Sequence, residues 1–108
     1  MALGPDHPVV AWARREIAPL LRERLRPQRI VVFDPPDRPA SAGHHPPGLL
    51  VVASAFEGIP VPDRVALVRS LLADASPVRP LCLTPAEARA AARVPGPVVA
   101  AARTGVEI

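Results

Sequence analysis

Residues with the chemistry for catalysis or metal binding are few and scattered in this 108-residue chain. Asp34 and Asp37 share a Pro-rich stretch, and Glu57 lies beyond the next apolar run. Carboxylates of this kind hold a divalent cation when rigid elements fix them to within fractions of an ångström. A Pro-rich loop supplies neither register nor rigidity, so a cation site on these three acids is not expected. His44 and His45 stand in the same stretch. Neutral imidazole is a common ligand, but neighbours in an extended segment point opposite ways and no third ligand accompanies them. Solvated loop histidines are the simpler reading. Cys82, between Leu81 and Leu83, reads as a small buried hydrophobe. A reactive thiol needs a base or cation beside it, and Arg79 is its one charged sequence neighbour.

These residues must be positioned by a short series of elements. From Val9 to Leu25, the residues Val10, Ala13, Ile17, Leu21 and Leu25 recur at helical spacing, and Pro19 should kink or divide that helix. Arg26-Pro27-Gln28 is a stop and turn. Ile30–Phe33 and Leu49–Ala53 are β-branched or aliphatic runs that read as buried strands. Between them, Asp34–Gly48 holds five Pro and two Gly in fifteen residues, which forbids regular helix or strand. Pro62 suits the first turn of a helix whose apolar face is Val65, Val68, Leu71 and Leu72. Pro77–Leu83 gives a third strand, which Pro80 assigns to an edge or a bulge. Thr84-Pro85-Ala86-Glu87 is a capping box opening a helix through Ala86–Arg93. Pro95-Gly96-Pro97 breaks that helix, Pro97–Arg103 forms a last one, and Gly105 suits its C-cap. The order predicts an α+β fold (α/β-like) in one domain, built around a small β-sheet.

Composition narrows the function classes. Thirteen basic residues, all Arg, against ten acidic ones leave a net charge of only +3 despite a pI near 10.9. The Arg are dispersed, and Trp12, Phe33 and Phe56 are the only aromatics. A nucleic-acid surface calls for clustered charge and stacking rings, so nucleic-acid binding is not expected. No apolar run approaches the roughly 18 residues that cross a bilayer, and no secretory signal is visible, so the expected location is cytoplasmic. One cysteine excludes an internal disulfide framework and any multi-Cys zinc site.

Arg29-Ile30-Val31-Val32-Phe33, a fifteen-residue interval, and Leu49-Leu50-Val51-Val52 together resemble the core of the minimal nucleotidyltransferases of the polymerase-beta-like superfamily. Phe56-Glu57-Gly58-Ile59-Pro60 with the helix around Arg64, Leu81-Cys82-Leu83-Thr84-Pro85-Ala86-Glu87, Pro95-Gly96-Pro97 and Gly105-Val106 extend the likeness from Arg29 to Ile108. The resemblance implies the nucleotidyltransferase fold, with a small mixed β-sheet flanked by helices. In that family a Gly-Ser turn follows the first strand and holds the triphosphate. A pair of Asp leads the second strand, and a third acid leads the third. Together these carboxylates hold two magnesium ions for in-line displacement.

At those positions this chain has Asp34 and Pro35 for the Gly-Ser turn, Pro46 and Gly48 for the paired Asp, and Arg79 for the third acid. Asp34 puts negative charge where a triphosphate would sit, Pro35 has no N–H to offer it, Pro46 and Gly48 carry no ligand atom, and Arg79 repels a cation. The expectation is therefore a catalytically inactive nucleotidyltransferase-like protein, with magnesium and ATP binding absent, that acts by protein–protein binding as a regulatory, antitoxin-like or structural subunit. The alternative is an active nucleotidyltransferase using rearranged acids. The family resemblance suggests a helical partner of the HEPN type, and the small apolar domain also suits homo-oligomerisation. Trp12 and the loop residues Arg38, His44 and His45 are the candidate partner-binding positions.

Overall fold

Pro19 divides the first helical stretch as expected. The computed structural model describes residues 4, 6–34, 47–72 and 78–108, and in it α1 (Pro8–Glu16) and α2 (Ala18–Leu25) meet at Ile17. Pro19 then sits in the first turn of α2, where a missing N–H costs nothing. His7 caps α1, its Nδ1 accepting from the Val9 N–H at 3.1 Å. Arg26 ends α2 in the left-handed region at φ 47°. The two helices bury one common stripe, Val10, Ala13, Ile17, Ala18, Leu21 and Leu25.

Four strands form one mixed sheet in the order β3-β2-β1-β4, with β1 Arg29–Phe33, β2 Gly48–Val52, β3 Arg79–Leu83 and β4 Val106–Glu107. β1 is antiparallel to both β2 and β4, and β2 is parallel to β3. A 3₁₀ turn at Ser54–Phe56 leads from β2 to α3 (Val61–Leu72); α4 (Pro85–Ala91) and α5 (Pro97–Thr104) follow β3. The fold is thus a small α+β domain, as the pattern predicts, and its sheet is mixed and flanked by helices. β1 and β2 read as continuous apolar runs because both faces of the sheet are covered. Ile30, Val32, Leu49 and Val51 pack with the stripes of α1, α2 and α3. Val31, Phe33, Leu50 and Val52 pack on the other side with Ala101 of α5 and Ala88 of α4.

Pro80 lies on an edge strand, as its chemistry requires. Arg79 N–H donates to the Pro47 carbonyl at 2.9 Å and Leu83 accepts from Ala53 at 3.0 Å, so alternation turns Pro80 and Cys82 away from β2. Position 80 has no N–H to present outward, and the Cys82 carbonyl accepts from Arg64 at 3.3 Å. This edge is blunted against strand addition.

The sequence pattern does not predict β4, because two residues carry no periodicity. The strand is held against β1 by Ile108 N–H donating to Ile30 at 2.8 Å, by an Arg29–Glu107 ion pair at 2.9 Å, and by Arg22 donating to the Ile108 carbonyl. Gly105 does cap α5, but in the extended region at φ −93°, not the left-handed one expected of a cap glycine. Its small size serves close packing instead: a Cβ there would lie 2.5 Å from the Ala101 carbonyl oxygen and from Val31 Cγ1. No helix among the described residues is long and apolar enough to cross a membrane.

Candidate functional site

The register of the sheet brings three of the singled-out positions to one end. Phe33, last in β1, faces Gly48, first in β2, and Gly48 in turn faces Arg79, first in β3. Asp34 directly follows Phe33 and is buried, with 5% of its surface exposed. Hence Asp34, Gly48 and Arg79, distant in sequence, belong to one edge of the fold. Pro35 and Pro46 lie outside the described residues.

The ring of Phe33 lies on Gly48. A Cβ at position 48 would sit 2.4 to 2.7 Å from three ring atoms, so the aromatic ring fills the space that any side chain at 48 would need. Beside the ring opens a cavity of about 660 Å³ between this end of the sheet and α5. Leu81, Pro97, Val99 and Ala100 make apolar walls, and Arg79, Arg103 and Thr104 supply the polar side chains. The Thr104 hydroxyl proton is committed to the Ala100 carbonyl at 2.7 Å.

A second polar cluster lies elsewhere, and sequence reasoning missed it. Arg64 of α3 is buried and donates through Nε to Ile59 O at 2.6 Å, and through Nη1 and Nη2 to the two carboxylate oxygens of Glu87 at 2.5 and 3.2 Å. Its guanidinium carbon is 6.0 Å from the centre of the Phe56 ring. Glu87 is also the capping-box acid, accepting from the Thr84 N–H at 2.9 Å while its own N–H donates to Thr84 Oγ1. The cluster ties α3, β3 and α4 together, and with the Arg64 donors aimed inward it reads as a structural clamp. The signal that could have revealed it is spacing: Arg64, Val68 and Leu72 fall on one stripe of α3 and are the residues it buries.

The Arg64 guanidinium, and then the Thr84 N–H, hold the Glu87 carboxyl down at about 2, against an ordinary 4.5. A depressed carboxyl contributes stability that is complete above about pH 4.5 and is lost as pH falls toward 2. Glu87 is 43% exposed, so solvent screening reduces that contribution to about 1–2 kcal/mol. Urea unfolding at pH 5 and pH 2.5 should show Glu87→Gln losing less stability than the unaltered chain by this amount. Equal losses would show that the ion pair does not matter to acid stability.

Cys82 is buried in the core, as its apolar neighbours suggest, and burial pushes its thiol up to about 11. The cation nearest in effect is Arg64, not Arg79. Glu57 is exposed in the turn beyond β2, whereas Asp34 lies at the opposite end of that strand. Five strand residues at about 3.3 Å each separate the two by roughly 15 Å or more, too far to share a cation. Among the described residues no group of three His, Cys, Asp or Glu is placed to hold a metal ion. Trp12 is half-buried against the larger core cluster, where it covers part of the core. Asp37, Arg38, His44 and His45 lie outside the described residues. Comparison of the chain with protein-family models, with curated proteins and with solved structures gives no match.

Proposed function

We propose that this chain is a nucleotidyltransferase-like protein without catalytic activity that works by binding another protein, as a regulatory, antitoxin-like or structural subunit. The observation that carries the reading is the packing of Phe33 on Gly48 with Arg79 across the next strand. The resemblance assigns metal-binding carboxylates to the start of the second and third strands, and those two starts are neighbours in the parallel register. That adjacency supports the assignment of positions. What stands there is an aromatic ring over a glycine and a guanidinium, neither of which ligates magnesium. The separation of Asp34 from Glu57 also weighs against a rearranged acid set. A HEPN-type helical protein, or a second copy of the chain, is the partner this reading favours.

Calorimetry with magnesium and each nucleoside triphosphate at millimolar concentration should give no binding heat. Magnesium-dependent uptake of a nucleotide at micromolar concentration would overturn the reading. Co-purification with the product of the neighbouring gene tests the partner directly, and a stable complex is the expected result.

A further inference from the structure

We propose that the cavity between the Phe33 end of the sheet and α5 is a binding site for a small carboxylic acid with a flat apolar body. This goes beyond the protein-binding role above and stands on the cavity alone, whatever the family. At about 660 Å³ the space falls within the roughly 300–1,000 Å³ range of small-molecule sites. Its walls are the Phe33 ring, Leu81, Val99, Ala100 and the rigid Pro95-Gly96-Pro97 turn. Rings and prolines make flat, stiff surfaces that lose little conformational entropy on binding.

Charge decides what the polar end of the ligand must be. Among the described residues Arg79 and Arg103 line the cavity and no acidic residue does. Among the described residues Arg103 has no ion-pair partner, and it lies in the last turn of α5, facing the same space as Ala100 and Thr104. The Thr104 hydroxyl already donates to Ala100, so the Arg103 guanidinium is the side-chain donor placed for an anion. A planar guanidinium matches a carboxylate with two parallel hydrogen bonds. The apolar walls cover the body of the ligand, and the carboxylate meets its counter-charge at Arg103. A neutral molecule of the same shape fills the walls and leaves that guanidinium unanswered.

The test is calorimetric titration of the full chain with 2-naphthoate and, separately, 2-naphthamide. Saturable binding of the acid is expected with a dissociation constant on the order of 100 µM, with the amide at least about tenfold weaker. Arg103→Gln, at an exposed position, should weaken the acid about tenfold and leave the amide unchanged. Gly48→Ala provides a second variant: the new methyl displaces the Phe33 ring, whose open side is the cavity, so both ligands should lose affinity. Equal affinity for acid and amide, no saturable binding of the acid at millimolar concentration, or an unchanged affinity in Arg103→Gln would each overturn the proposal. Competition of 2-naphthoate by magnesium-ATP would support the cavity as a ligand site while counting against the absence of nucleotide binding proposed above.

Discussion

Replacing Arg64 by Ala is expected to cost about 3–4 kcal/mol of folding stability, read as a lower urea midpoint at unchanged slope. The side chain is 7% exposed and spends its donors on the Ile59 and Cys82 carbonyls and both oxygens of Glu87. Removing it leaves the Cys82 carbonyl, on the outward edge of β3, without that donor and opens a space beside the Phe56 ring. An unanswered buried acceptor costs about 1–3 kcal/mol by itself. Glu87→Gln should cost less, about 1–2 kcal/mol, because the side-chain amide oxygen can still accept from Thr84 and Arg64 keeps its two carbonyls. The double variant should then fall short of the summed losses by about 1 kcal/mol or more, the signature of partners in one network. Arg64→Lys is the sharper test. A single ammonium cannot span a carboxylate and two carbonyls, so Lys should recover less than half of the loss. Full recovery by Lys would mean that charge alone, without the fork, holds α3, β3 and α4 together.

Local chemistry is readable in the chain wherever one residue dictates its own backbone. Pro19 divides the first helix, Pro80 sits on a sheet edge, and Thr84 with Glu87 closes a capping box, each for a reason confined to a few neighbours. Relations across the fold are not readable in this way. The apolar pattern puts the buried face of α3 on Val65, Val68, Leu71 and Leu72; the helix instead buries Arg64, Val68 and Leu72, with Val65 and Leu71 half-buried at the margin. A charged residue on a buried stripe is intelligible only once Glu87, 23 positions away, is known to meet it. β4 needs the same kind of knowledge, because its two residues acquire strand geometry from β1. At the candidate site, Gly48 and Arg79 stand out only through a resemblance, whereas the ring on Gly48 depends on the register between strands separated by a Pro-rich stretch. The cavity beside it, with Arg103 from α5, depends on the packing of a helix whose sequence specifies its length but not its docking.

Gly105 provides the second large effect, and it separates two reasons for a glycine. Gly105→Ala should destabilise the fold by about 2–4 kcal/mol. Its φ of −93° is open to any residue, so the backbone conformation contributes none of this. The cost arises because an added Cβ meets the Ala101 carbonyl oxygen at 2.5 Å, Val31 Cγ1 at 2.5 Å and the Val32 carbonyl oxygen at 2.9 Å. Two of those three atoms are backbone, fixed by α5 and by β1, and neither yields without moving its element. Relief therefore requires the end of α5 to part from β1, which pulls β4 off the sheet edge and exposes the Ile108 amide now bonded to Ile30. Hydrogen exchange at that amide should accelerate in Gly105→Ala beyond the change set by global stability. Gly58 is the contrasting case, with φ at 80° and nothing within 4 Å of an added Cβ. Gly58→Ala should cost only the left-handed backbone penalty, about 1–2 kcal/mol, with no selective change at Ile108. If the two substitutions proved equally mild and left Ile108 exchange alike, close approach of α5 to β1 would not be what keeps position 105 a glycine.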